Sequence, residues 1–318
     1  MSPRRRPGRR IVKALLPIAL LLALACAGLG GWAVYTAMHP QPRPHLVTPD
    51  KFELLSHRGL KVTEETWRNR DGTDARGWLL RGDEGAPAVI LLHRYGADRS
   101  YLLNLGVKLN EATNFTILWP DLRGHGERPP VARTSLGAHE ADDVLAAQEY
   151  LRALKTGQGR PLVAERTGLY GVELGAYAAL VAASREPHAR ALVLDSVPAD
   201  PDELLRATIQ SNTGFNNSLI QFLARIAARL YLLGDYRNIE TCTAAATTAD
   251  RHVLLLAGND AEHFRASTSA LARCFPSQSQ VELQDNLPLT GFMLASAPGE
   301  QGEAYDRRVI DFFDRTLR

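Results

Sequence analysis

Few residues in this chain are spaced to do chemistry. Gly171-Val172-Glu173-Leu174-Gly175 lies between a short apolar run, Thr167–Tyr170, and an alanine-rich one, Leu174–Ser184. Glycines let a backbone pass closely, so they suit a tight turn between the two runs. A carboxylate presented in this way can attack an electrophile or take a proton, if a partner completes the chemistry. Asp260, after the apolar run Val253–Gly258, and His263, three residues further on, are candidate partners. His93 ends the run Ala88–His93, and His125 sits in Asp121-Leu122-Arg123-Gly124-His125-Gly126. Each also has a plainer structural reading. Glu173 would then be buried and paired, His93 and His125 would brace their turns, and His263 would start a surface helix. Asp195 and Ser196 would close a strand, and Glu140, Asp142 and Asp143 with Arg133 would form a solvated face. No Cys-x-x-Cys or His-x-x-x-His spacing points to zinc, so neither metal nor cofactor is expected.

The elements around these residues alternate. Lys61–Arg68 and Gly77–Arg81 read as strands joined by a turn at Asp71-Gly72. Ala88–His93, Phe115–Trp119, Thr167–Tyr170, Ala191–Asp195, Val253–Gly258 and Val281–Leu283 read as further strands, several of them apolar throughout and therefore buried on both faces. Ser100 suits the N-cap of a helix reaching Asn110. Gly137–Leu154, Leu174–Ser184, Arg265–Cys274 and Ala304–Leu317 complete the helices. A β-hairpin followed by repeated β-α units predicts an α/β class domain, a mostly parallel sheet with helices on both faces. Asp200–Thr248 breaks the rhythm as a helical insertion, about 200–248, serving as a lid or a packing element.

The turns between these elements resemble those of the α/β-hydrolase superfamily, and most of all its membrane-anchored, serine-aminopeptidase-like members. Asp121–Gly126 resembles the D-x-R-G-H-G turn, and His93-Arg94-Tyr95-Gly96 resembles the H-G-x-G oxyanion loop. Gly171–Gly175 falls where that family has its nucleophile elbow, G-x-S-x-G. The resemblance covers roughly residues 61–318 and implies an oxyanion site at His93, Arg94, Tyr95 and Leu174. It also exposes departures. Glu173 stands where the family has serine, and a carboxylate cannot replace serine in acyl transfer. Relatives with a carboxylate nucleophile use aspartate, one methylene shorter, and still need a histidine. Asp260 takes the acid position. The histidine belongs in the loop after the last strand, here Asn286-Leu287-Pro288-Leu289-Thr290-Gly291, and Leu289 takes its place. Arg94 replaces a small residue opposite the elbow. An ion pair between Glu173 and Arg94 is expected, because a buried lone carboxylate is costly. Leu289 is expected to pack on the elbow as an apolar plug.

The N-terminal end is an address. Residues 1–13 form a basic segment with Arg4, Arg5, Arg6, Arg9 and Arg10, and 14–38 an apolar anchor. From Ala14 to Tyr35 no residue is charged, about 33 Å of helix and enough to cross a bilayer core. The basic flank predicts a cytoplasmic N-terminus and an extracytoplasmic body, with Trp32 and Tyr35 in the outer aromatic belt. A cleaved signal peptide, cut near Ala23-Leu24-Ala25 or Ala25-Cys26-Ala27, is the competing reading. Residues 39–50 form a Pro-rich linker and 51–318 the α/β domain with its insertion. Outside the cytoplasm Cys242 and Cys274 either pair or remain buried thiols. Of 318 residues, 45 % are hydrophobic and 23 % charged, which excludes a disordered chain. The net charge of +2 owes much to the basic segment, which argues against nucleic acid as a partner. Two readings of function follow. One is a degenerate hydrolase, a pseudoenzyme, binding a small ligand or an envelope protein. The other is an active hydrolase of carboxylic esters or amides that uses Glu173 with Asp260 or His263.

Overall fold

The computed structural model describes residues 8–53, 61–214, 216–293 and 299–318. Arg4, Arg5 and Arg6 of the basic segment lie outside them. Eight strands form one sheet: β1 (Val62–Arg68), β2 (Asp74–Leu80), β3 (Ala86–Leu92), β4 (Thr116–Pro120), β5 (Val163–Val172), β6 (Ala189–Asp195), β7 (His252–Gly258) and β8 (Gln280–Leu287). Their order is β1-β2-β4-β3-β5-β6-β7-β8. β2 runs antiparallel to β1 and β4, and every other neighbouring pair is parallel. The continuous apolar runs occupy the middle of this sheet, where both faces need cover. In β3, Ile90 and Leu92 join the core on one face, and Val89 and Leu91 the core on the other.

α3 (Leu103–Thr113) and α10 (Glu300–Leu317) cover the second face. α4 (Ala138–Ala153), α5 (Leu174–Ala183) and α9 (Glu262–Leu271) cover the first. Every residue of α5 is buried, which explains its alanines: a helix boxed in on all sides has no room for larger side chains. Between β6 and β7 the chain forms α6 (Pro201–Thr213), α7 (Ser218–Tyr231) and α8 (Thr241–Ala246), with no strand among the described residues. Cys242 at the start of α8 is bonded to Cys274 just past α9, tying this insertion to the sheet's cover.

Two local expectations are corrected. The carboxylate of Asp98, not Ser100, caps the helix by accepting from the Ser100 N–H at 2.8 Å, and one 3-10 turn precedes α3. The acidic cluster near Glu140 is not a solvated face. Glu140 is 0 % exposed and accepts from the Ser135 and Gly137 N–H groups at 2.9 and 2.8 Å, holding the entry to α4. Asp143 is half-buried, and its carboxylate accepts from Arg123 Nε at 2.8 Å. A charged residue buries when backbone donors or a guanidinium replace its water, and charge alone does not reveal such partners.

α1 (Gly8–Met38) is the long apolar helix, with a 24-residue stretch, Leu15–Met38, of mean hydropathy 2.1. It does not stand clear of the domain. Ala33, Val34, Ala37 and Met38 enter the same core as Ala224, Ala228 and Leu232. The Thr134 N–H donates to the Met38 carbonyl at 2.9 Å. The Pro-rich stretch is also pinned, and it ends in a short helix, α2 (Pro49–Glu53): the Leu46 N–H donates to Ser100 Oγ at 2.9 Å, and the His45 ring meets Trp78 edge-on.

Candidate active site

The tight turn after β5 needs its glycines. A Cβ on Gly171 would come 2.4 Å from Gly175, and one on Gly175 would come 2.4 Å from the Leu92 carbonyl. Strand, turn and helix therefore touch through bare backbone. Between them Glu173 adopts φ 52° and ψ −109°, a conformation that costs a non-glycine residue about 1–3 kcal/mol.

That strain aims the Glu173 carboxylate into the protein, where the residue is only 5 % exposed. Its Oε2 accepts from the Tyr95 N–H at 2.8 Å, and the Leu174 N–H also acts on the carboxylate. Burial pushes its pKa up to about 7, against the pull of the Arg94 charge and of these two N–H groups. Tyr95 and Leu174 are the two backbone donors that the hydrolase resemblance assigns to a substrate oxyanion. Here both face a carboxylate of the protein itself.

The expected ion pair is replaced by something looser. Arg94 turns aside: its Nη1 donates to the Tyr95 carbonyl at 3.0 Å, and its guanidinium lies 4.8 Å from the Phe292 ring centroid. Its charge still favours the carboxylate, but backbone donors take the direct bond. The physical reason is geometric. The Tyr95 N–H is fixed by its loop, whereas the long arginine side chain finds an aromatic face to cover.

The loop after β8 comes to the same place. Asp260 Oδ2 accepts from both the N–H and the hydroxyl of Thr290, at 2.9 and 3.0 Å. The acid position thus holds the residue next to Leu289 rather than an imidazole. Leu289 is half-buried, and Phe292 is the side chain of this loop that joins the cores and covers Arg94. Asp195, fully buried with its pKa raised to about 6 by burial, accepts from Tyr305 Oη at 2.5 Å and from the Gly291 N–H at 2.7 Å. It anchors the loop from behind.

The histidines are used structurally. His93 Nε2 accepts from the Leu122 N–H at 3.0 Å, which leaves its other nitrogen to donate to the Arg94 carbonyl at 2.8 Å. Burial keeps its pKa well below the usual histidine value. His125 packs edge-on to His93 and Tyr95, with its own pKa also lowered by burial. His263 is exposed near the start of α9.

One contact has no trace in the sequence. The Tyr95 hydroxyl donates to the Ala37 carbonyl at 2.9 Å, so a single residue ties the end of α1 to the carboxylate of Glu173. Beside it, Trp32, Thr36, His39, Arg43, Gly96 and Asn212 line a cleft of about 270 Å³.

Neither a family model nor a curated protein sequence matches the chain. Solved structures do. An esterase of Pyrococcus furiosus superposes with a TM-score of 0.64 at 17 % identity, covering 88 % of this chain and 98 % of that one. A dienelactone hydrolase of Anabaena variabilis gives 0.53 at 16 %, covering 81 % and 99 %. An acylaminoacyl peptidase of Pyrococcus horikoshii gives 0.56 at 12 %, covering 86 % of this chain and 44 % of that one. At such identities the likeness concerns the fold, and function rests with the site. The strand order, the single antiparallel crossing at β2 and these neighbours agree: the chain has the α/β-hydrolase fold, preceded by one helix long and apolar enough to cross a membrane.

Proposed function

We propose that this protein is a membrane-anchored, extracytoplasmic pseudoenzyme, a hydrolase scaffold that binds a ligand or an envelope partner and does not cleave it. The observation that carries this reading is the Glu173 carboxylate on the Tyr95 N–H. Acyl transfer on this fold needs those donors empty for the negative charge that develops on the substrate oxygen. An incoming carbonyl would have to evict a buried group already bonded there. The loop after β8 would also offer it no imidazole, because the chain has no histidine after His263. The cleft of about 270 Å³ beside Tyr95 and Gly96 remains open for a ligand. The basic N-terminal segment and the Cys242–Cys274 bond both favour placing the domain outside the cytoplasm.

The test uses the full chain in detergent micelles, a panel of carboxylic esters and amides, and a fluorophosphonate probe. The wild type is expected to be silent and indistinguishable from Glu173→Ala. Turnover that disappears in Glu173→Ala overturns the reading in favour of a carboxylate-based hydrolase. The double variant Glu173→Ser, Leu289→His is expected to gain esterase activity above the wild-type background, since the loops that would surround it are in place.

A further inference from the structure

α7 carries an apolar stripe that the domain leaves uncovered. Leu219, Phe222, Ile226 and Leu230 are 58, 51, 43 and 62 % exposed. At roughly 100° per residue these four positions fall within an arc of about 80°. Ala224 and Ala228 point the opposite way, into the core. The stripe continues into Leu233, 78 % exposed just past the helix.

Position relative to α1 says what covers it. An added Cβ on Gly30 would sit 3.7 Å from Leu223 Cβ, and nine residues later the His39 ring meets Tyr231 at 6.1 Å between centroids. The two helices therefore run side by side in the same direction, in nearly constant register. Extending that register by one turn brings Leu219 level with about residue 26 of α1, and Phe222 level with about residue 29. Both levels are on the N-terminal side of Trp32 and Tyr35, which are themselves exposed at 53 and 55 %. Whatever surrounds the upper part of α1 also surrounds the start of α7. Leu29, Trp32 and Tyr35 on one helix and Leu219 and Phe222 on the other then form one apolar wall, with Arg225 and Arg229 on the far flank of α7, the latter paired with Asp202 at 3.3 Å.

We propose that the first turns of α7 dip, alongside α1, into the phospholipid leaflet from which α1 emerges, with their outer apolar face against the acyl chains, so that the domain rests on the bilayer and does not hang from a tether. This rests on the anchor reading of α1, and the experiment separates the two. The full chain, with Cys26→Ala to remove its free thiol, is placed in bilayer discs of phosphatidylcholine and phosphatidylglycerol. An environment-sensitive thiol dye is attached in turn at Leu21→Cys in α1, Phe222→Cys in α7 and Glu165→Cys on the opposite rim of the sheet. Quenching by lipids carrying brominated acyl chains is then measured. The dye at 222 is expected to be quenched within about twofold of the dye at 21, with the dye at 165 unaffected. A dye at 222 that behaves like the one at 165, while 21 is quenched, overturns the proposal and leaves the anchor standing. A dye at 21 that is not quenched overturns both. Efficient cross-linking of Phe222→Cys between two copies, with no lipid quenching, assigns the stripe to a second copy and also overturns it.

Discussion

Glu173 is held by donors that do not neutralise it, and that makes its environment sensitive to pH. Its folded pKa, about 7, lies above the ordinary 4.5 of an unfolded chain, so between those values the folded state binds more protons. Folding stability from this group is therefore greatest below about pH 4.5, falls as pH rises through the window, and stays low above about 7. That difference corresponds to on the order of 3 kcal/mol. Glu173→Gln keeps an oxygen for the Tyr95 N–H and removes the charge. It is expected to melt several degrees above wild type at pH 8, with the gap shrinking toward pH 5. A gap that does not change with pH contradicts the buried-carboxylate account. The sequence shows that a carboxylate stands in the elbow and that it needs a partner. It does not show which partner, because an arginine's four flexible torsions are settled by whatever aromatic surface is nearby. Phe292, from a loop almost two hundred positions from Arg94, is that surface.

At the level of elements, the structure depends on close approach and on one covalent tie. Gly175→Ala places a methyl 2.4 Å from the Leu92 carbonyl, backbone against backbone, where nothing can swing away. It is expected to cost about 3 kcal/mol or more, read as a fall in the denaturation midpoint, or to abolish folding. The Cys242–Cys274 bond closes a separation of 32 residues, and Cys242→Ser is expected to cost about 3–4 kcal/mol by the same measurement. The strands were legible because apolar runs such as Ala-Val-Ile-Leu-Leu fit only a sheet covered on both faces. Their ends were less so: β5 begins at Val163, four residues before the expected Thr167, because an edge is set by the neighbour it pairs with. Asp98 taking the cap from Ser100 is a similar local contest between two competent side chains, decided by the path of the loop.

For the whole molecule, the apolar helix and the domain are one body. Hydrophobicity identified α1 from sequence, but a helix apolar on every side gives no sign of which side docks. Gly30, Ala33, Val34 and Ala37 do so because small residues let α7 come close. A chain beginning at His45 therefore loses part of the core over Ala224, Ala228 and Leu232. It is expected to aggregate or to bind a hydrophobic dye strongly, whereas the full chain in micelles stays monodisperse. A His45-start chain as soluble and as stable as the full one would show that the docked turns contribute little.

The join between α1 and the domain also orders events during synthesis. Residues 30–38 leave the ribosome well before Ala224 and Ala228, against which they pack and which follow about 190 positions later. α1 waits until β1 to β6 have been made before its last turns are covered. If that helix is already threaded in the bilayer, the membrane holds the one missing wall of the core in place, and the domain closes onto it.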